Sequence, residues 1–142
     1  MKSAAKVSSV QQVCASNERA IGQALMIYAD KHDKQFPPDL GSLVAETEMP
    51  AQVFLCPNAH KQLPGNWDQM NNDEKAAWVN SNASYAYLGK GMTMDAVTPE
   101  TILLHDRQNR HQGAGMNLLY GDGHVAFVPV EQAKEALKAQ KK

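Results

Sequence analysis

Five residues toward the C-terminal end of this sequence carry side chains suited to chemistry: His105, Asp106, His111, Asp122 and His124. Imidazole nitrogens and carboxylate oxygens together can hold a divalent cation. Their spacing forms no compact ligand motif such as His-Glu-x-x-His, which sets two imidazoles on one helix face. His105 and Asp106 are neighbours, so on a strand their side chains point to opposite faces. A simpler reading covers the same residues. Asp122, with Gly123, forms a turn in which the carboxylate bonds its own backbone, and His111 bonds a nearby carbonyl or Asp122 to fix the loop. The simpler reading is favoured, because residue types without a spacing motif often match by chance.

Cys14 and Cys56 are too few for a disulfide scaffold and lack metal-ligand spacing. They allow one bridge or two buried thiols. A nucleophilic Cys14 is disfavoured, since no Lys or Arg cluster stands beside it and it falls on an apolar stripe. There is no Gly-x-Ser-x-Gly, and Gly121-Asp122-Gly123 leads into no helix bearing Lys-Ser or Lys-Thr. Neither serine-hydrolase nor phosphate-loop chemistry is indicated. No catalytic residue and no cofactor is expected from the residues alone.

The elements that must position these groups follow from periodicity. Val7, Val10, Cys14, Ile21, Leu25 and Tyr28 recur in steps of three, four or seven, which predicts one long helix over residues 4–34. Gln11, Glu18, Arg19 and Gln23 are assigned to its polar face. The stripe is weak where Ser8, Ser9, Gln11 and Gln12 cluster and strong over residues 24–28. The second half is therefore expected on the core, while the first projects or frays. Phe36-Pro37-Pro38 is expected to end the helix. Asp39 is a plausible cap for a short helix over 40–45, with Leu40, Leu43 and Val44 inward. Residues 52–55 read as a short extended piece leading to Cys56-Pro57. Residues 58–72 read as loop, pinned by Trp67. Asn71 with Glu74 has the capping-box pattern, opening a helix through Val79 with Trp78 buried.

Four strands follow. Residues 83–89 place Tyr85 and Tyr87 on one face. Residues 100–106 hold the run Ile102-Leu103-Leu104, expected at the sheet centre and covered on one face by the long helix. Residues 117–120 and 125–128 flank Gly121-Asp122-Gly123, whose Asp-Gly tolerates the positive φ of a tight hairpin. Residues 131–142 predict an amphipathic helix fraying into a solvated basic tail. The fold class is α+β: a long N-terminal helix packed on an antiparallel sheet of about four strands, with a short C-terminal helix. One domain spans 1–142: helix 4–34, loops and short helices 36–82, sheet 83–130, and C-terminal helix and tail 131–142. A net charge of -1 gives no support to nucleic-acid or anionic-membrane binding. No apolar run approaches a membrane span, and no secretory leader opens the chain.

Several stretches together resemble the bacterial prepilin-type proteins, the type II secretion pseudopilins and type IV pilin-like subunits. They are Cys14-Ala15-Ser16-Asn17, Ile21-Gly22, Ala24-Leu25, Tyr28-Ala29, Phe36-Pro37-Pro38-Asp39, Val53-Phe54-Leu55-Cys56-Pro57, Ser84-Tyr85-Ala86-Tyr87-Leu88-Gly89 and the final hairpin, and they span most of the chain. The hairpin is similar to the family's C-terminal signature, a His, nine residues and Asp-Gly. Here ten residues separate His111 from Asp122-Gly123, one more than that pattern.

The resemblance implies a pilin-like fold and a structural, non-enzymatic role: the head domain of a pseudopilus or pilin-like filament serving protein secretion or surface assembly. It implies self-assembly with other pilin-like subunits, and inner-membrane anchoring, through an apolar N-terminal half-helix. That half-helix and the family's processing site are not in this sequence, and Met1-Lys2-Ser3 reads as an engineered start. The sequence therefore reads as a soluble domain cut from a longer protein. The implied location is the periplasmic or extracellular face. With one cysteine on the helix stripe and one on a piece that passes it, a Cys14–Cys56 disulfide is expected there. Major pseudopilins bind calcium before their C-terminal strands. The resemblance therefore allows calcium on Asp95, Asp106 or Asp122, although no calcium motif carries over residue by residue. The alternative, from another class, is a periplasmic metal- or small-ligand-binding module using the hairpin histidines and Asp122.

Overall fold

A computed structural model describes residues 2–47, 49–107 and 114–141, the side chains of 2–8 and of residue 58 excepted. The first element is the long helix α1 (Lys2–Lys31). Cys14, Ile21, Leu25 and Ala29 fall on one face by their spacing, and all are buried. The helix stops three residues before the expected end. Asp33 and Lys34 both adopt left-handed backbone, φ 55° and 66°. Lys34 N–H reaches back to the Ala29 carbonyl at 2.7 Å, closing the last turn. Pro37 is not the stop. It is buried beyond the turn, and its carbonyl accepts from Tyr87 Oη at 2.7 Å.

The sheet is antiparallel throughout, in the order β1 (Tyr85–Tyr87), β2 (Ile102–Asp106), β3 (Met116–Tyr120), β4 (Val125–Val128). Strict alternation would send Leu103 and Leu104 to opposite faces. The β2–β3 register shifts between Ile102 and Leu104. That bulge turns both leucines into the core shared with α1, while Ile102 joins a second core on the far face. The hairpin turns as expected: Gly123 has φ 92°, a conformation that L side chains rarely adopt. The helix on one face and the four antiparallel strands give the domain a pilin-like shape.

The second face of the sheet is covered by the expected C-terminal helix, which holds as a helix to Lys141 rather than fraying into a tail. Helix α4 (Val130–Lys141) packs Ala133, Ala136 and Leu137 against Ile102, Met116 and Leu118. Gln140 completes the seal. Its Oε1 accepts from Ile102 N at 2.6 Å, and its Nε2 donates to Ile102 O at 2.8 Å. The side-chain amide thus pairs a strand residue that β1, ending at the Tyr87–Leu104 register, does not reach.

Between helix and sheet, α2 (Gly41–Glu46) lies against α3 (Asn72–Asn82). Contact is so close at Gly41 that an added Cβ would lie 2.4 Å from the Ala76 carbonyl oxygen. Asp39 Oδ1 accepts from Ser42 N at 2.9 Å, so it caps a helix that starts one residue later than expected. The Asn71–Glu74 capping box forms, at 2.8 and 2.9 Å. Helix α3 runs on past Val79, and Val79 rather than Trp78 is its fully buried residue. Trp67 packs edge-on to Trp78, centroids 5.7 Å apart, and so holds its loop. The expected extended piece at 52–55 is instead a tight 3-10 turn over Ala51–Phe54. Val53 N–H bonds the Pro50 carbonyl at 3.2 Å, a bond that local sequence permits and extension would forgo.

Candidate functional site

The polar residues that matter most lie between α1 and the sheet rather than at the hairpin. Asp106 ends β2 fully buried, facing α1. Its Oδ1 accepts from Asn117 N at 2.9 Å and its Oδ2 from Asn117 Nδ2 at 2.8 Å. Asn117 also accepts from Gln11 Nε2 at 2.9 Å and donates to the Gln11 carbonyl at 3.2 Å. Helix and sheet are thus joined by a buried amide–carboxylate ladder. Further along, Asn17 Nδ2 donates to Leu55 O at 3.3 Å and to Tyr85 Oη at 3.1 Å.

Cys14 and Cys56 meet in the same layer. They are 0% and 1% exposed, with Sγ atoms 2.7 Å apart. Cys56 is fixed by its own N–H, which donates to Ser84 Oγ at 2.9 Å. The hydrogen bond with Cys56, and then burial, push the Cys14 thiol far above its ordinary range. The Cys14 sulfur is therefore not poised as a thiolate nucleophile in this state.

Glu18 stands one helical turn beyond Cys14. It is 0% exposed, and both carboxyl oxygens are buried without a hydrogen-bond partner among the described residues. Burial, then the nearby Asp106 carboxylate and Cys56, push it well above the carboxylate range, opposed only by Arg19. The expected placement of Glu18 and Gln11 on an outer polar face is therefore corrected. The steps 14, 18, 21 and 25 are four, three and four, so Glu18 sits on the stripe itself. That spacing was a usable signal, and the charge of the residue masked it.

The hairpin residues do not converge with this layer. His105 faces away from Asp106 as expected, and its Nδ1 bonds the Asp106 carbonyl at 2.8 Å. Asp122 lies at the opposite end of the strands from Asp106. It accepts from His124 N at 3.1 Å and pairs with His124 Nδ1, whose ring stacks on Tyr120 at 4.5 Å. The hydrogen bond from His124 holds the Asp122 carboxyl below its usual range. Asp95 is exposed and pairs with Lys34 at 3.5 Å. His111 lies outside the described residues. Asp106 and Asp122 are therefore not brought together, and Asp95 is ion-paired. No group of three or more His, Cys, Asp or Glu able to hold a metal occurs among the described residues. Among those residues, too, no helix is long and apolar enough to cross a membrane. In comparisons with known proteins, the chain matches no family model, no curated protein and no solved structure.

Proposed function

We propose that this chain is the head domain of a pseudopilin or pilin-like filament subunit, a structural protein rather than an enzyme. In that reading it stands on the periplasmic or extracellular side, and an apolar helix continuing α1 holds it in the inner membrane and then in the filament. The observation that supports this best is where the resembling segments meet. Cys14 on α1 touches Cys56, Asn17 reaches Leu55 and Tyr85, and Tyr87 holds Pro37. Asn117, in the final hairpin, binds Gln11 on α1. Residues far apart in sequence thus build a single joint between helix and sheet. A filament subunit of this kind needs such a joint, because its head is carried on the helix.

The test is to place an apolar segment of about 20 residues, the length that spans a bilayer core, before α1. In a host with the matching assembly machinery the protein should fractionate with membrane and enter a fibre visible by electron microscopy. A membrane-held protein that never enters a filament with that machinery present would defeat the reading. The same location implies that Cys14 and Cys56 are joined. Exchange with an external disulfide would link the two sulfurs and leave both protons on the two thiols of the spent oxidant. Closing this 42-residue separation would stabilise by roughly 4 kcal/mol on chain-entropy grounds. Thiol titration in denaturant checks it: two reactive thiols in material from an oxidising compartment would rule the bond out.

A further inference from the structure

Glu18 is the one polar side chain of the helix–sheet layer left without a partner among the described residues. The other polar side chains of that layer, Gln11, Asn17, Asp106 and Asn117, are all hydrogen-bonded. A carboxyl group deprived of both water and donors is tolerable as the neutral acid. Ionised, it needs water or a donor.

Water can reach it most readily by lifting the first half of α1. That half is joined to the sheet by amide bonds that water can replace nearly one for one, and its apolar burial is confined to Cys14, Ala15 and part of Val10, all small or partly exposed. The second half cannot be exchanged in this way. Ile21, Leu25 and Ala29 belong to the apolar core with Leu103, Leu104 and Leu119, where exposure to water is costly. Gly22 marks the boundary. There the helix lies so close to the sheet that an added Cβ would be 2.9 Å from Leu119 Cδ1. Apart from proline, glycine also gives a helix the least resistance to bending.

We propose that residues 9–20 of α1 form an arm that leaves the sheet when Glu18 loses its proton and docks again when the proton returns, with Gly22 as the pivot. The groups around Glu18 favour this direction. Asp106 from β2 and Cys56 from the segment after Ala51–Phe54 oppose its negative charge. On α1 itself Cys14 lies one turn back, and Arg19, which is exposed, favours the charged form only weakly against burial. Elsewhere in the layer, Asn117 from β3 bonds Asp106 and Tyr85 from β1 bonds Asn17, and neither carries positive charge. The docked arm is therefore the acidic-side state and the open arm the alkaline-side state. A Cys14–Cys56 bond, which the proposed location implies, would tie down the turn that has to lift, so the device operates only in the dithiol form, before that bond closes.

Hydrogen exchange of the full chain, with reductant present, tests the proposal. Protection is followed from about pH 5 to about pH 9, upward from the ordinary carboxylate range, and is corrected for intrinsic exchange. Protection over 9–20 should fall about tenfold or more relative to 21–31, the change that follows one pH unit beyond a single titration. In Glu18→Gln the ratio should stay flat. The Glu18 carboxyl resonance of the wild type should titrate with the same midpoint as the loss of protection. That measurement decides the matter if Glu18→Gln does not fold. Equal protection of both halves across the range overturns the proposal. So does the same loss in Glu18→Gln, or a carboxyl midpoint displaced from the opening.

Discussion

Between Ile21 and Ala29, α1 presses aliphatic side chains onto Leu103, Leu104 and Leu119. Between Gln11 and Glu18, the same helix offers an amide, a thiol and a carboxyl to Asn117, Cys56 and the neighbourhood of Asp106. Helix and sheet are common to both contacts, so the difference isolates what side-chain chemistry contributes. Apolar burial is non-directional and grows with area, so the second half is held under any conditions that keep the fold. Buried polar contacts add little net stability when complete and cost much when one partner is lost. The first half is therefore held conditionally, and its conditions are a proton on Glu18 and the state of two thiols.

The largest expected effect comes from breaking the dry half. Leu25→Ala should cost about 3 kcal/mol in urea unfolding, because a fully buried leucine leaves a cavity that a close-packed sheet cannot fill. A loss below about 1 kcal/mol, the range of a surface change, would mean the second half does not dominate the joint.

Asn117→Ala attacks the polar contact at its centre and should cost about 2 kcal/mol. It removes the side-chain donor to Asp106 and both bonds to Gln11, while the backbone N–H to Asp106 stays. Gln11→Ala, which removes only the Nε2 bond to Asn117, should cost less. Equal losses would show that the ladder does not act as a unit.

Glu18→Gln should act with the opposite sign. A carboxyl raised in the folded state contributes stability that is complete below its unfolded pKa and is lost as pH rises through the folded one. Wild-type melting temperature should therefore decline on the alkaline side of the ordinary carboxylate range. The variant should lack that decline and be the more stable of the two at neutral pH, by on the order of 1 kcal/mol. A pH profile identical in both proteins would remove Glu18 from the comparison.

The smallest effect lies on the other face. Gln140→Ala should cost about 0.5 kcal/mol, because water can take over the two Ile102 groups that it bonds. Faster exchange at Ile102, with α1 unchanged, would confirm that the faces are held independently.

Much of this was legible in the sequence wherever the signal was local. The helix stripe, the Asn71–Glu74 box and the Asp-Gly hairpin each depend on residues within a few positions of one another. The C-terminal helix was legible as a helix, but its partner was not. Its apolar side is short, and the strand face it covers is defined only once the sheet exists. The polar layer between α1 and the sheet was missed. His105, Asp122 and Asp95 drew attention by type, yet the strands separate Asp106 from Asp122, and Asp95 is occupied by Lys34.

By itself, the sequence determined the long helix, the hairpin, the α+β class and the two cysteines that could meet, because periodicity and turn chemistry act over a few residues. The tertiary structure alone decided that Glu18 is inside, that Asn117 bridges Asp106 to Gln11, and that α4 closes the second face. The physical reason is that burial and partnership are properties of a pair of surfaces. A charged residue on a helical stripe reads as solvent-facing until the sheet laid against that stripe removes the water.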